Sequence, residues 1–222
     1  MADDEQEVLS AIHSNTIYTV GHSNHPLGVF LALLRRHRVE VLIDTRSSPF
    51  SRYAPQFNRE TLKAAILDAG LKYGFYGREL GGRPENQAFY DAEGHADYAQ
   101  IAGSQLFQAG LARLVAGSAN HRTALLCSEE NPSVCHRRLL ISRVLFEAGL
   151  SVTHIRGDGR LETETESRER ETQGRTRQCG LFDDTESMEA DTWKSLKPIH
   201  PSSHTFFQSA SPKAPPPTFS DD

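Results

Sequence analysis

The 222-residue chain has only three cysteines, Cys127, Cys135 and Cys179, and no apolar run near the roughly eighteen residues that a membrane helix needs. Cysteines this few and this unevenly spaced exclude a disulfide scaffold. The N-terminal residues are acidic and lack the apolar core of a secretory signal. Neither a dinucleotide-binding glycine fingerprint nor a Walker A motif is present. We therefore predict a cytoplasmic protein without a membrane segment.

The charges divide the chain into two parts. Residues 1–160 carry 17 Lys and Arg against 17 Asp and Glu, whereas residues 161–222 carry 7 against 12. A near-neutral domain gives no general reason for tight, nonspecific binding of nucleic acid. The last part is polar and buries too little apolar area to offset its chain entropy. We predict a flexible N-terminus at 1–15, an α/β domain at 16–160 and a disordered tail at 161–222, in which Glu/Arg pairs permit a short helix.

Short apolar runs alternate with amphipathic helical segments through the first part of the chain. The predicted strands cover residues 17–20, 39–43, 71–76, 123–126 and 150–155. The connections between them are long enough for helices, and Gly103 and Gly110 are expected to divide the helix from 98 to 116. This order predicts an open, mostly parallel α/β sheet of about five strands with helices on both faces.

Polar and reactive residues follow the strands at their carboxyl ends, where open parallel sheets bind ligands. Each residue also has a simpler interpretation: Asp44 as a turn cap or a partner of Arg46, His22 as a core histidine, and the arginines as surface groups. Guanidinium groups near a cleft also suit carboxylate or phosphate. Because these residues all fall at one edge of the predicted sheet, the pattern favours a ligand-binding site. The segments are Gly21-His22-Ser23-Asn24, Asp44-Thr45-Arg46 with Arg52, Gly81-Gly82-Arg83, and Cys127-Ser128-Glu129 with Cys135-His136-Arg137.

The stretch from 127 to 138 carries the most chemistry. Asn131 and Pro132 are typical of a helix start, so Cys135 is expected in or just after the first helical turn. Free N–H groups there, with the His and Arg that follow, favour a lowered thiol pKa, and the thiolate is the reactive form. The alternative is that the cysteines only pack in the core.

Three hypotheses follow from this edge. The first is an enzyme for an anionic small molecule, a nucleotide or a modified base. The second is a module that binds a nucleotide, a modified base or nucleic acid in the same pocket without turnover and is brought to DNA by a motif in the tail. The third is a metal site from Cys127, Cys135 and His136, with or without His22. It ranks last because an adjacent Cys and His rarely coordinate one ion from a helix and there is no Cys-x-x-Cys pair, so we predict no metal. A serine nucleophile also remains an open alternative.

The predicted catalytic groups are Cys127, Cys135, Asp44 and Glu129. The predicted substrate-binding residues are His22, Ser23, Asn24, Arg46, Arg52, Arg83, His136 and Arg137.

Four motifs give the chain a resemblance to the family named domain of unknown function 488. The resemblance runs from about residue 16 to about residue 160. It implies a compact α/β domain whose motif residues face one pocket, and it implies no particular reaction. Thr45 stands where the family pattern has Val, a similar shape. The motifs are Thr19-Val-Gly-His-Ser-Asn24, Leu42-Ile-Asp-Thr-Arg-Ser-Ser-Pro49 with Ser51-Arg52 and Phe57-Asn58, Leu80-Gly-Gly-Arg83, and Leu126-Cys-Ser-Glu129 with Cys135-His-Arg137.

The tail contains a short linear motif at 178–183. Gln178, Leu181 and Phe182 resemble the segment by which bacterial repair and replication proteins bind the DNA sliding clamp, an apolar pair with an amide. A pattern with three fixed positions also arises by chance. We predict a sliding clamp as a partner of the tail, and with it an association with DNA repair.

Overall fold

The computed structural model describes residues 16–178 and 193–199 of the chain. Its strands are β1 (Thr16–Gly21), β2 (Val41–Asp44), β3 (Lys72–Phe75), β4 (Thr123–Cys127), β5 (Ser151–Ile155) and β6 (Leu161–Thr163). They form one sheet in the order β3-β2-β4-β1-β5-β6. All neighbouring pairs are parallel except β5 and β6. The predicted open, mostly parallel α/β sheet is confirmed, with six strands where about five were expected.

Helices cover both faces of the sheet, as predicted. They are α1 (Leu27–Arg36), α2 (Arg59–Asp68), α3 (Tyr98–Gly103), α4 (Gln105–Ser118), α5 (Arg143–Glu147) and α6 (Glu164–Gln178). Helices α1 and α2 pack on Leu42 and Leu126, whereas α3, α4 and α5 pack on Ile43 and Leu125. Because the central strands are buried on both sides, their apolar runs are nearly continuous. No helix in the described ranges is long and apolar enough to cross a membrane.

The helical segment after residue 98 is divided at Gly103 but not at Gly110. Ser104 is extended between α3 and α4, and its hydroxyl oxygen accepts a hydrogen bond from the Phe107 N–H at 3.3 Å. This hydroxyl caps α4. Gly110 lies inside α4, where an added Cβ would come within 2.5 Å of Glu79 Cβ. Gly110 therefore permits close packing and does not end the helix.

The segment between β4 and α5 differs from the predicted helix start. Asn131 accepts a hydrogen bond from the Ser133 N–H at 3.1 Å, but it caps only a 3₁₀ turn, Pro132–Val134. Cys135 is extended (φ −120°, ψ 139°), and a π-helical turn, Arg137–Ser142, then leads into α5. Cys135 therefore lies just before the longer helix and not in an α-helical first turn, and its carbonyl accepts hydrogen bonds from the Arg138 and Leu139 N–H groups at 3.0 and 2.9 Å.

Two parts of the tail predicted from residue 161 have defined structure, residues 161–178 and 193–199, and the short helix that the Glu/Arg pairs permit is present as α6. β6 pairs with β5, and α6 follows it directly. Ser167 of α6 is fully buried, and its hydroxyl donates to Glu162 Oε1 at 2.6 Å. The polar composition indicated disorder because a segment with few apolar residues can bury little apolar area. Helix α6 is instead stabilised by buried polar contacts, which composition does not indicate. The proposed 1–15 segment lies outside the described residues.

Candidate active site

The loops after β1, β2 and β4 are joined at the carboxyl edge of the sheet. Gly21 and Cys127 are register partners at the ends of β1 and β4. The His22 N–H donates to the Cys127 carbonyl at 3.0 Å, and the Thr45 N–H donates to the Leu126 carbonyl at 3.1 Å. Three of the four motifs therefore meet at one place, as the rule for ligand sites in open sheets predicts.

Two thiols, an imidazole and a carboxylate form the centre of this edge. Cys127 Sγ lies 3.4 Å from His136 Nδ1 and 3.1 Å from Glu129 Oε2. Cys135 Sγ lies 3.2 Å from the same carboxylate oxygen and 4.0 Å from His136 Nδ1. His136 Nε2 is 3.2 Å from the Thr45 carbonyl, so this nitrogen carries a proton and donates it. The Nδ1 atom of His136 therefore faces the two sulfurs.

The protonation states of these groups depend on one another. Burial disfavours a thiolate at Cys127, but hydrogen bonding with Cys135 and attraction by His136 hold the pKa of Cys127 well below its ordinary value. Burial and then the Cys127 charge raise the pKa of Cys135 and of Glu129. Burial opposes a charge on His136, but the Cys127 thiolate outweighs it and raises the pKa of His136. Both shifts reduce the cost of a negative charge on Cys127 and of a positive charge on His136.

Asp44, one of the predicted catalytic groups, is committed to an ion pair. Its carboxylate accepts hydrogen bonds from Arg46 Nε at 2.8 Å and Arg46 Nη2 at 2.6 Å, in a bidentate arrangement. The Tyr73 hydroxyl donates to Asp44 Oδ2 at 2.8 Å. Asp44 is fully buried. This geometry matches the simpler interpretation, in which Asp44 holds Arg46 in place.

His22 supports the same arginine from another side. Its ring stacks on Phe57 with centroids 4.3 Å apart, and Arg46 Nη1 lies 3.1 Å from His22 Nε2. Burial and then the charge of Arg46 lower the pKa of His22 to about 4. The ring is therefore neutral near pH 7, with Nδ1 donating to the Ser23 carbonyl at 2.6 Å and Nε2 accepting from Arg46.

Arg137 is fully buried and holds the loop that carries the carboxylate. Its Nη2 donates to the Glu130 carbonyl at 2.6 Å, and its Nη1 donates to the Glu129 carbonyl. A Cβ at Gly21 would overlap both this carbonyl and the guanidinium. Glycine is therefore required at the end of β1 so that the loops after β1 and β4 can approach each other.

A cavity of about 330 Å³ opens beside the cluster. A larger cavity of about 450 Å³ lies next to it, but its three arginines are already paired, Arg138 and Arg168 with Glu164 and Arg143 with Glu147. The smaller cavity contains the reactive groups, so it is the better candidate for a substrate site. Of the predicted site residues, those that line it are Arg46, Arg83, Cys127, Glu129, Cys135 and His136.

The other predicted site residues do not line this cavity. Ser23 and Asn24 lie in the turn after β1, where Ser23 has a φ of 47°, and Arg52 is exposed. Asp44, His22 and Arg137 act on neighbouring protein groups, as described above. In the tail motif, Gln178 is the last residue of α6, and Leu181 and Phe182 lie outside the described residues.

The cavity also contains residues that the sequence did not indicate as ligand groups. Ser47 and Ser128 stand next to predicted residues at the strand ends, so their positions were a usable signal. Tyr98, Ser195 and Lys197 come from segments far away in the chain. No spacing or composition pattern connects those segments with the cysteines.

Three side chains of the cluster could hold a metal ion. One ligand atom from each of Cys127, Cys135 and His136 lies within 4.8 Å of the other two. Thiolate and imidazole donors suit zinc, and the His136 Nε2 contact with a backbone carbonyl is common among metal-bound histidines. Adjacency in sequence therefore does not separate the donor atoms of Cys135 and His136, contrary to the reason for ranking a metal site last.

Fold and cluster together define an open α/β protein with a cysteine, histidine and carboxylate centre at the carboxyl edge of its sheet. The model of the family described as "Domain of unknown function DUF488" matches residues 26–144. The chain belongs to this family, as its motifs predict. The matched region includes the two thiols, Glu129 and His136. No curated protein and no solved structure gives a significant match.

Proposed function

We propose that the protein is an enzyme in which Cys127 acts as a thiolate nucleophile on an anionic substrate. The observation that carries the proposal is the 3.4 Å contact between Cys127 Sγ and His136 Nδ1, with the opposite ring nitrogen fixed by the Thr45 carbonyl. Cysteine-based catalytic sites usually consist of a nucleophile, a base and a group that orients the base. Here these groups are Cys127, His136 and the Thr45 carbonyl. The open side of the thiol is the cavity.

In the proposed reaction, Cys127 Sγ bonds to an electrophilic atom of the substrate, and the bond to the leaving group breaks. Glu129 gives its proton to the leaving group, a role that suits a carboxyl whose pKa is raised by burial and by Cys127. Water then attacks the intermediate and loses its proton to Glu129. The Cys127 thiolate departs with the electron pair of its bond. The His136 imidazolium stabilises the thiolate before and after the cycle.

Arginines would bind the anionic part of the substrate. Arg46 and Arg83 line the cavity, and Asp44 and His22 hold the Arg46 side chain in one orientation. A guanidinium that is already oriented loses little entropy when it binds a carboxylate or phosphate. The substrate class is therefore an anionic small molecule, a nucleotide or a modified base.

Trapping of a covalent intermediate tests the proposal. The protein is incubated with fractions of metabolites, nucleotides and modified nucleosides, and its intact mass is measured. We expect an adduct on Cys127 that is absent from Cys127→Ser. In Glu129→Gln the adduct should form more slowly, because the leaving group is not protonated, and should decay more slowly once formed, because water is not activated. Ligand binding that is the same in wild type and Cys127→Ser, without any adduct or turnover, would instead favour the binding module.

A zinc centre is the second candidate, favoured by the convergence of three soft donors within 4.8 Å. With Cys127, Cys135 and His136 as ligands, Glu129 would be a fourth ligand or would hold a water molecule. Measurement of zinc content after purification without chelators distinguishes the candidates. One equivalent of zinc that is lost in both Cys127→Ser and Cys135→Ser would replace the nucleophile proposal by metal chemistry.

We also propose that Gln178, Leu181 and Phe182 bind a DNA sliding clamp, which would connect the domain to DNA repair. The support is the motif itself, in which two adjacent apolar side chains stand in a charged segment. Tethering would bring a near-neutral domain to DNA that it binds poorly by charge alone. This partner is compatible with either an enzyme or a binding module.

A further inference from the structure

We infer that residues 193–199, here called the C-terminal strap, form one wall of the Cys127 cavity, and that Lys197 makes this cavity selective for anionic reactants. The inference rests on the proposed function in that Cys127 is taken as the reacting group. The strap lies outside the 26–144 region of the family match. It would therefore add the Lys197 cation to the two cavity arginines, Arg46 and Arg83, that the family region provides.

The strap is held along residues 94–98 by backbone hydrogen bonds. The Tyr98 N–H donates to the Trp193 carbonyl at 2.9 Å, and the Ser195 N–H donates to the Ala96 carbonyl at 2.9 Å. The Ile199 N–H donates to the carbonyl of Gly94 at 2.8 Å. These contacts fix the strap at its start, near its middle and at its end, so the strap has a defined register against the domain.

Side chains anchor the strap at its start. The Trp193 indole N–H donates to the Leu139 carbonyl at 2.6 Å, and the Arg143 guanidinium lies 4.4 Å from the indole ring centre. The Ser195 hydroxyl is buried, accepts from the Ala96 N–H at 2.9 Å and donates to the Lys197 carbonyl at 2.9 Å. Ser195 therefore fixes the turn that brings Lys197 to the cavity.

The strap contributes both surface and charge to the cavity. Leu196 and Ile199 provide apolar surface, and Ser195 and Lys197 provide polar groups, on the same cavity that Cys127 lines. Lys197 is exposed and makes no ion pair with any carboxylate of the described ranges. Its charge is therefore available to a ligand.

The balance of charge in the cavity depends on Lys197. Arg46 is neutralised by its bidentate pair with Asp44, whereas Arg83 and Lys197 have no such partner among residues 16–178 and 193–199. Glu129 opposes them, but its raised pKa reduces its negative charge. Two uncompensated cations from different segments favour carboxylate or phosphate groups over neutral reactants.

Alkylation of Cys127 by a matched pair of reagents tests the inference. Iodoacetate and iodoacetamide differ mainly in charge, so the ratio of their rate constants reports the field at Cys127. The full-length protein is measured at pH 9.5, by quantifying the Cys127 peptide, because thiols of ordinary pKa are mostly ionised there. Variants are Lys197→Ala, Lys63→Ala as the control with an exposed lysine on α2, and Trp193→Ala, which removes the anchor.

We expect Lys197→Ala to lower the iodoacetate to iodoacetamide ratio about three- to tenfold at low salt, with Lys63→Ala unchanged. Trp193→Ala should lower the ratio similarly and raise the iodoacetamide rate, because the wall is released. Inorganic phosphate and acetate should each protect wild type more than Lys197→Ala, and the stronger protector identifies the preferred group. An unchanged ratio in Lys197→Ala, or equal decreases in both lysine variants, overturns the inference. If Cys127 has ordinary thiol reactivity, the proposed nucleophile is contradicted. The ratio of the two rate constants can still be measured in that case, so it tests the inference separately.

Discussion

Arg138 Nε and Glu164 Oε2 lie 3.0 Å apart, with only 4% and 3% of the two side chains exposed. The pair connects the π-helical turn that follows His136 with the first residue of α6, beyond the family match. His154 is fully buried and lies 3.0 Å from the same carboxylate oxygen. A charged residue of the polar C-terminal part is thus built into the core beside the candidate site.

Removal of Glu164 should destabilise the protein strongly. Glu164→Ala leaves the Arg138 charge buried without its buried partner, and the expected loss in the free energy of unfolding is about 3–5 kcal/mol. Glu171→Ala removes the more exposed partner of Arg138, at 43% exposure, and should cost less than about 1 kcal/mol. Urea denaturation measures both values. A chain ending at 160 should be at least as unstable as Glu164→Ala, whereas equal stability of 1–160 and the full chain would contradict this role.

Asp44 should matter for stability as well as for activity. Asp44→Asn removes the charge that compensates buried Arg46, and we expect a loss of about 3–5 kcal/mol in the free energy of unfolding. Tyr73→Phe removes one hydrogen bond to the same carboxylate and should cost about 1 kcal/mol. Thermal and urea unfolding of the two variants give the comparison. If Asp44→Asn is as stable as wild type but inactive, Asp44 contacts the substrate directly.

His22 should make the fold sensitive to acid. Its pKa is lowered to about 4 in the folded state, below the ordinary value near 6.5, so between these values the unfolded chain binds the proton more readily. Stability therefore falls as the pH drops from about 6.5 to 4, by roughly 3 kcal/mol at most from this residue. His22→Gln lacks this titration. Its unfolding free energy should change less over that range, and parallel pH profiles of the two proteins would exclude the assignment.

The tail motif makes a prediction that needs only a peptide. Burial of Leu181 and Phe182 in a clamp groove is worth roughly 3–6 kcal/mol before ordering costs, and the upper end of this range corresponds to a dissociation constant of about 40 μM. A labelled 174–186 peptide is titrated with purified clamp, beside a Leu181→Ala/Phe182→Ala control. Saturable binding of the first peptide alone is expected. Equal signals from both peptides, or none at high micromolar clamp, would remove the partner.

The sequence predicted the sheet and the polar residues at its carboxyl edge because both depend on local patterns. Apolar runs in the central strands are continuous, and polar residues begin where those strands end, as at Cys127 and Asp44. The strand order is set by crossovers between distant segments, and no local pattern encodes it. The break at Cys135 was also missed, since Asn131 and Pro132 start a 3₁₀ turn as readily as an α-helix.

The direction of each side chain at the strand ends could not be predicted from spacing. Asp44 and Arg46 are two residues apart and both follow β2, yet only Arg46 lines the cavity. The directions of the two side chains depend on hydrogen bonds with Tyr73 and His22, which come from other segments of the chain. The position of Lys197 at the cavity could not be predicted either. Composition indicates whether a segment can form a core of its own, but it does not indicate whether the segment packs against an existing domain.

The pH dependence of Cys127 alkylation by iodoacetamide tests the central claim most directly. Rate constants for the Cys127 and Cys135 peptides are measured from pH 5 to 10 in the folded protein and in His136→Gln. We predict a Cys127 midpoint well below the ordinary value of about 8.5, a Cys135 midpoint above it, and a rise of the Cys127 midpoint in His136→Gln. Midpoints near 8.5 for both cysteines, unaffected by His136→Gln, would contradict the thiolate centre.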